Sequence, residues 1–163
     1  MGTPKIIDYD QDFALWVEHT VTQLQAKNYQ HIDWEHLIEE VDSLGKSQRS
    51  AVRSYLLRLL EQLLKRCYVA IPDCYRGWEI EIRNFRQSIL FELEDSPSLK
   101  NFIPEILPKC YQIALRNVKD NYPRVSFPEH YPFAEDITHL LSHKFWQDPG
   151  YNNPNFINDD TNI

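Results

Sequence analysis

Glycine is scarce in this chain of 163 residues. Its four glycines, Gly2, Gly45, Gly77 and Gly150, all fall where one expected element ends and another begins. No glycine-rich loop is left to cradle a phosphate, so a P-loop nucleotide hydrolase is excluded. No serine sits in a G-x-S-x-G elbow either, which removes the α/β-hydrolase arrangement. Cysteine is almost as rare: Cys67, Cys74 and Cys110 are an odd number without a C-x-x-C pair. They read as reduced, buried small hydrophobes, because a structural zinc site needs four clustered ligands. No apolar run approaches the ~20 residues of a membrane span. The first ten residues hold one lysine and only Ile6 and Ile7 as an apolar pair, which does not form a signal-peptide core. Gly2 follows Met1, but Ile6 stands where a myristoylation signal wants Ser or Thr. A cytoplasmic protein with no membrane partner is the expectation. Seventeen basic residues face twenty-four acidic ones, for a formal charge of −7. Nucleic acid is therefore not the expected partner, since phosphate binding needs a basic face.

What the chain has instead is leucine, six of the nine residues from Leu56 to Leu64. The run lies in a segment, about 46–68, free of Gly and Pro. Ser54, Arg58, Glu61, Gln62 and Lys65 recur there at steps of three and four, making a single polar stripe. Val52, Leu56, Leu59, Leu60, Leu63, Leu64 and Cys67 cover well over half of the circumference. A helix of that kind is buried inside a bundle. The expected fold is all-α, a compact single-domain bundle of about five to six helices around this central one. Residues 1–146 form the bundle, and 147–163, with five asparagines and two prolines, form an irregular tail.

In chain order, Asp8 with Gln11 reads as a cap pair opening a first helix whose apolar face is Phe13, Trp16, Val17, Val21 and Leu24, with Asn28 as its stop. Asp33 caps a second helix, with Trp34, Leu37, Ile38 and Val41 facing inward and Gly45 ending it. Acids dominate from Asp33 to Ser43 and bases from Lys46 to Arg66, so the two segments are expected to pair as an antiparallel hairpin about Gly45. Pro72 and Gly77 break the pattern before a helix over about 78–95. Ser96-Pro97 reads as a fresh cap. Pro104 and Pro108 suggest a short turn near 98–102 and then a longer helix over about 104–121. A stiff proline-containing connection leads to a last helix over about 134–145.

The chain resembles a bacterial, largely cyanobacterial, family, domain of unknown function 29. The residues that carry the resemblance are Tyr9-x-x-Asp12-Phe13-x-x-Trp16, Asp33-Trp34-x-x-Leu37-x-Glu39-Glu40 and Ser43-Leu44-Gly45. They continue with Leu63-Leu64-Lys65, Trp78-x-x-x-Ile82-x-x-x-Arg86, Ser96-Pro97-Ser98-Leu99, Tyr111-x-x-Ala114 and Phe127-Pro128. The resemblance implies a compact helical domain and no established activity. Family members often carry histidine directly before Leu-Leu-Lys, where this chain has Gln62.

Three polar groupings remain as candidates for chemistry. Glu135, His139 and His143 stand at i, i+4 and i+8, the spacing by which one helix face can offer metal ligands, although the Glu of H-E-x-x-H is absent. Surface histidines are the commoner outcome of such spacing. His36 with Glu39 and Glu40 reverses the order of a di-iron Glu-x-x-His motif and occurs once. Asp33, Glu39, Glu40, Gln62, Lys65, Arg83 and Arg86 are the third grouping, a candidate polar groove whose simpler reading is a network of caps and ion pairs. The expected function is a non-catalytic interaction module acting through a protein partner or a homo-oligomer, with no cofactor. The alternative is a metal- or acid/base-dependent hydrolase, acting on nucleic acid, built on the carboxylates and arginines of that groove.

Overall fold

The computed structural model describes residues 7–151. Among these residues five α-helices follow one another: α1 (Phe13–Gln25), α2 (Trp34–Tyr68), α3 (Pro72–Asp95), α4 (Leu99–Asn121) and the single turn α5 (Ile137–Leu140). Short 3₁₀ turns lie at Tyr29–His31 and Phe145–Gln147. No strand occurs among the described residues, and the architecture is all-α as the periodicity predicts. From residue 152 onward the expected tail lies outside the described residues. The chain divides into two compact units, 1–47 and 48–163, with the boundary inside α2.

In the first unit α1 is capped one turn later than Asp8 suggests. The Asp8 side chain accepts from the backbone N–H of Asp10 at 3.0 Å, a local Asx turn, and Asp12 caps the helix by accepting from the N–H of Leu15 at 3.0 Å. At the other end the Asn28 N–H reaches the Gln23 carbonyl and the Lys27 N–H the Leu24 carbonyl. Those two bonds form a Schellman motif, with Lys27 in the left-handed region at φ 58°.

The expected hairpin at Gly45 does not form, because α2 runs through it for 35 residues. A helical glycine costs only ~1 kcal/mol relative to alanine. Nothing lies within 4 Å of a Cβ built at Gly45, so no close contact demands the glycine, and no proline follows to stop the helix.

The second unit is built on the leucine run. Leu56, Leu59, Leu60, Leu63 and Leu64 are all completely buried. Gln48 ties the start of this stretch to the end of α3, donating to the Glu92 carboxylate at 3.1 Å and the Ser96 hydroxyl at 2.9 Å. α3 begins at Pro72 rather than at residue 78: proline at the first position suits a helix start, and Gly77 is carried inside. Pro104 and Pro108 likewise sit within α4. Each interior proline typically costs ~3 kcal/mol, and the continuous buried face from Leu99 through Ile103, Leu107, Tyr111 and Leu115 to Val118 offsets it.

The last expected helix is reduced to one turn. Asp136 caps α5 by accepting from the His139 N–H at 3.0 Å. The His143 carbonyl, beyond the end of α5, accepts from Arg86 Nη2 at 2.6 Å. The turn that follows buries Phe145 under the core. Among the cysteines, Cys67 and Cys110 are buried as expected, while Cys74 is exposed.

Candidate functional site

In the first unit Tyr9, Asp33, His36 and Glu40 assemble into one cluster. Asp33 starts α2 by accepting from the His36 N–H at 3.3 Å, and its second oxygen meets His36 Nδ1 at 2.6 Å. The Tyr9 ring stacks on the His36 imidazole at 4.0 Å, packs edge-on against Trp16, and its hydroxyl donates to Glu40. The hydrogen bond to His36 holds the Asp33 carboxyl below its ordinary range and in turn raises the imidazole. The bond to Glu40, with the surrounding carboxylates, pushes the Tyr9 phenol up to about 12. Three of the sequence candidates thus have defined surroundings. Asp33 is a helix cap paired with histidine, Glu40 a tyrosine acceptor, and the neighbouring Glu39 is exposed.

Around that cluster the apolar residues are open rather than inward. Trp34, Ile38, Val41 and Leu44 along α2 are 47%, 65%, 60% and 71% exposed, and Phe13, Val17 and Val21 along α1 are exposed too. Trp16 and Ile32 are the hydrophobic residues this unit buries among those described. The inward face expected for Trp34, Ile38 and Val41 is therefore corrected: helical spacing groups apolar residues on one side, and here nothing in the unit covers it. The same 47 residues carry nine acids and three lysines.

The second unit contains an open groove of about 810 Å³ between one face of α3 and the segment 141–147. Arg76, Ile80, Arg83, Gln87 and Leu90 recur at steps of three and four along α3, and Leu141, Lys144 and Trp146 form the opposite side. Arg86 lies in the same lining, 8% exposed, and belongs to no ion pair among the described residues. One of its terminal nitrogens donates to the His143 carbonyl, while Nε is buried without a partner. Loss of hydration brings its guanidinium down to about 10. Glu79, the carboxylate of the groove, accepts from Arg66 Nε at 2.8 Å, and the Arg66 guanidinium also lies over Tyr75 at 3.9 Å.

Of the polar residues predicted to converge, Arg83 and Arg86 share this groove. Lys65 is half-buried with its ammonium 5.7 Å from the Trp78 ring, and burial lowers its basicity. Gln62 keeps a buried side-chain oxygen without a partner. Asp33, Glu39 and Glu40 belong to the first unit. With α5 ending at Leu140, Glu135, His139 and His143 do not form the three-turn helical row. The His139 and His143 rings stack at 4.4 Å and His143 Nε2 meets Asp148 at 2.7 Å. Among the described residues no three His, Cys, Asp or Glu side chains are grouped to hold a metal.

Arg76 and Lys144 escaped sequence reasoning. Arg76 and Arg83 are seven residues apart, a signal that becomes visible once α3 is started at Pro72. Lys144 and Trp146 reach the groove by tertiary packing. Glu61 was also missed as a structural residue. It is buried, accepting from Asn117 at 2.7 Å and from Arg58 at 3.1 Å.

Residues 9–146 match the family described as domain of unknown function DUF29. The chain belongs to the DUF29 family. That span takes in the Tyr9 cluster, the buried leucines and the groove residues from Arg76 to Trp146. No curated protein and no solved structure matches the chain. No helix among the described residues is long and apolar enough to cross a membrane.

Proposed function

We propose that this DUF29 protein is a non-catalytic interaction module whose first unit receives a basic amphipathic helix of a partner protein. The observation that carries the reading is the open row Trp34, Ile38, Val41 and Leu44 in a unit with nine acids and three lysines. Covering an aliphatic side chain of this kind stabilises a complex by up to ~1.5–3 kcal/mol. Spacing of four, three and three suits the groove-filling side chains of a second helix. The acids around the row favour a partner with Lys and Arg at its edges and disfavour two copies of the same acidic face, because like charges across an interface are costly.

The test compares wild-type protein with the Ile38→Asp, Leu44→Asp variant as bait in extracts of the source organism, followed by titration of the captured partner's helix as a peptide. The reading predicts a partner lost from the variant, and a basic amphipathic peptide whose affinity falls at least tenfold while the circular dichroism of the bait is unchanged. Equal retention by both baits, or a bound segment that is acidic, contradicts it.

A further inference from the structure

The groove of the second unit presents a different chemistry from the apolar face of the first. Arg76, Arg83, Arg86 and Lys144 line it against a single carboxylate, Glu79, and that carboxylate is already engaged by Arg66. Buried charges in proteins are ordinarily paired, since an uncompensated one loses its hydration for nothing in return. Arg86 is more than nine-tenths buried, has no carboxylate partner among the described residues, and keeps a buried Nε with no acceptor. Its bond to the His143 carbonyl holds the far wall of the groove in place but supplies no countercharge.

We propose that this groove binds a small phosphate-bearing ligand with a planar or apolar body, of the size of a nucleotide. Three features select that class. A phosphate group brings close to two negative charges and three acceptor oxygens, which suits several convergent cations better than a single carboxylate does. Exposed Arg76, Arg83 and Lys144 can reach those oxygens, arginine by paired N–H donors, while Arg86 sets the potential from beneath. The apolar part of the lining, which includes Ile80, Leu90, Leu141 and Trp146, offers area for the rest of the ligand, and about 810 Å³ lies within the range of small-molecule sites. The net acidity of the chain argues for a compact ligand that enters the groove rather than a polyanion that spreads over the surface.

The experiment is calorimetric titration of the full chain with ADP, inorganic pyrophosphate and adenosine. The proposal expects ADP to bind most tightly, pyrophosphate more weakly, and adenosine at least tenfold more weakly than ADP. Arg83→Gln and Lys144→Gln, both at exposed positions, should each weaken ADP at least threefold and together at least tenfold, with thermal stability in the absence of ligand unchanged. Raising the salt concentration should weaken ADP and leave adenosine unaffected. Binding of adenosine as tight as ADP, failure of both ADP and pyrophosphate to bind at millimolar concentration, or indifference to the double substitution overturns the proposal. Pyrophosphate binding as tightly as ADP overturns the ligand class, because the apolar side would then contribute nothing.

Discussion

The two units of this chain put similar helices to opposite use. In the second, Leu56, Leu59, Leu60, Leu63 and Leu64 of α2 are sealed at 0% exposure and the long faces of α3 and α4 contribute Ile82, Ile89, Ile103 and Tyr111 to the same core. In the first, nine large hydrophobic residues from Phe13 to Leu44 are open to solvent, against four in all of the described second unit. Their charges differ as well: the first unit accounts for nearly all of the net negative charge. Apolar periodicity alone therefore does not identify a core. It identifies a face, and the difference between the units is whether that face has been covered. A helix pair with so little buried area has little to oppose the ordering entropy of its own backbone, which is the physical condition of a region that gains stability when a partner arrives.

Substitution by aspartate breaks this comparison most sharply. Leu60→Asp places an unpaired charge in a fully buried site and should cost at least ~4 kcal/mol, enough to unfold the second unit. Ile38→Asp, at 65% exposure, should change stability by no more than ~0.5 kcal/mol. Urea unfolding followed by circular dichroism measures both, and equal losses would mean that the open face is not open.

A smaller effect is expected at Glu61. Glu61→Ala removes the buried carboxylate to which the half-buried Asn117 amide donates and should destabilise the second unit by ~1–3 kcal/mol, the range of a hydrogen bond to a charged group, whereas Glu61→Gln keeps an oxygen in place and should cost less. The same urea titration separates them.

The smallest effect concerns pH and is confined to the first unit. The imidazole of His36 is raised above its ordinary value of 6.5 by Asp33, so its contribution is complete below about 6.5 and is lost as pH rises through the folded value. Asp33 is lowered from 3.8, so its contribution is present above that value and is lost as pH falls through the folded one. The pair should support the start of α2 best between these two ordinary values. NMR titration of His36 should give a midpoint above 6.5 that returns to the ordinary value in Asp33→Asn.

Much of the second unit is legible in the sequence. The run from Leu56 to Leu64 is apolar in nearly every direction, and only burial suits such a helix. The boundaries were harder, for one reason repeated three times. Gly45, Gly77 and the prolines of α4 carry local penalties of about 1 to 3 kcal/mol, and a long helix with a buried face or an uninterrupted ladder absorbs them. The exposure of Trp34, Ile38 and Val41 is not legible, because spacing says which side is apolar but not what lies over it. Arg83 and Arg86 were legible as a pair on one helix. The groove was not, since Lys144 and Trp146 join them by tertiary packing, where Arg86 donates to the His143 carbonyl.

Hydrogen exchange resolved along the chain tests the contrast between the units most directly. Amides of 56–64 in α2 and 103–118 in α4 should exchange only through global unfolding, and those of α1 and of 37–44 through openings at least tenfold more frequent. Protection that is equal in both units would contradict the account, since it would show the first unit to be as fully stabilised as the second without any partner.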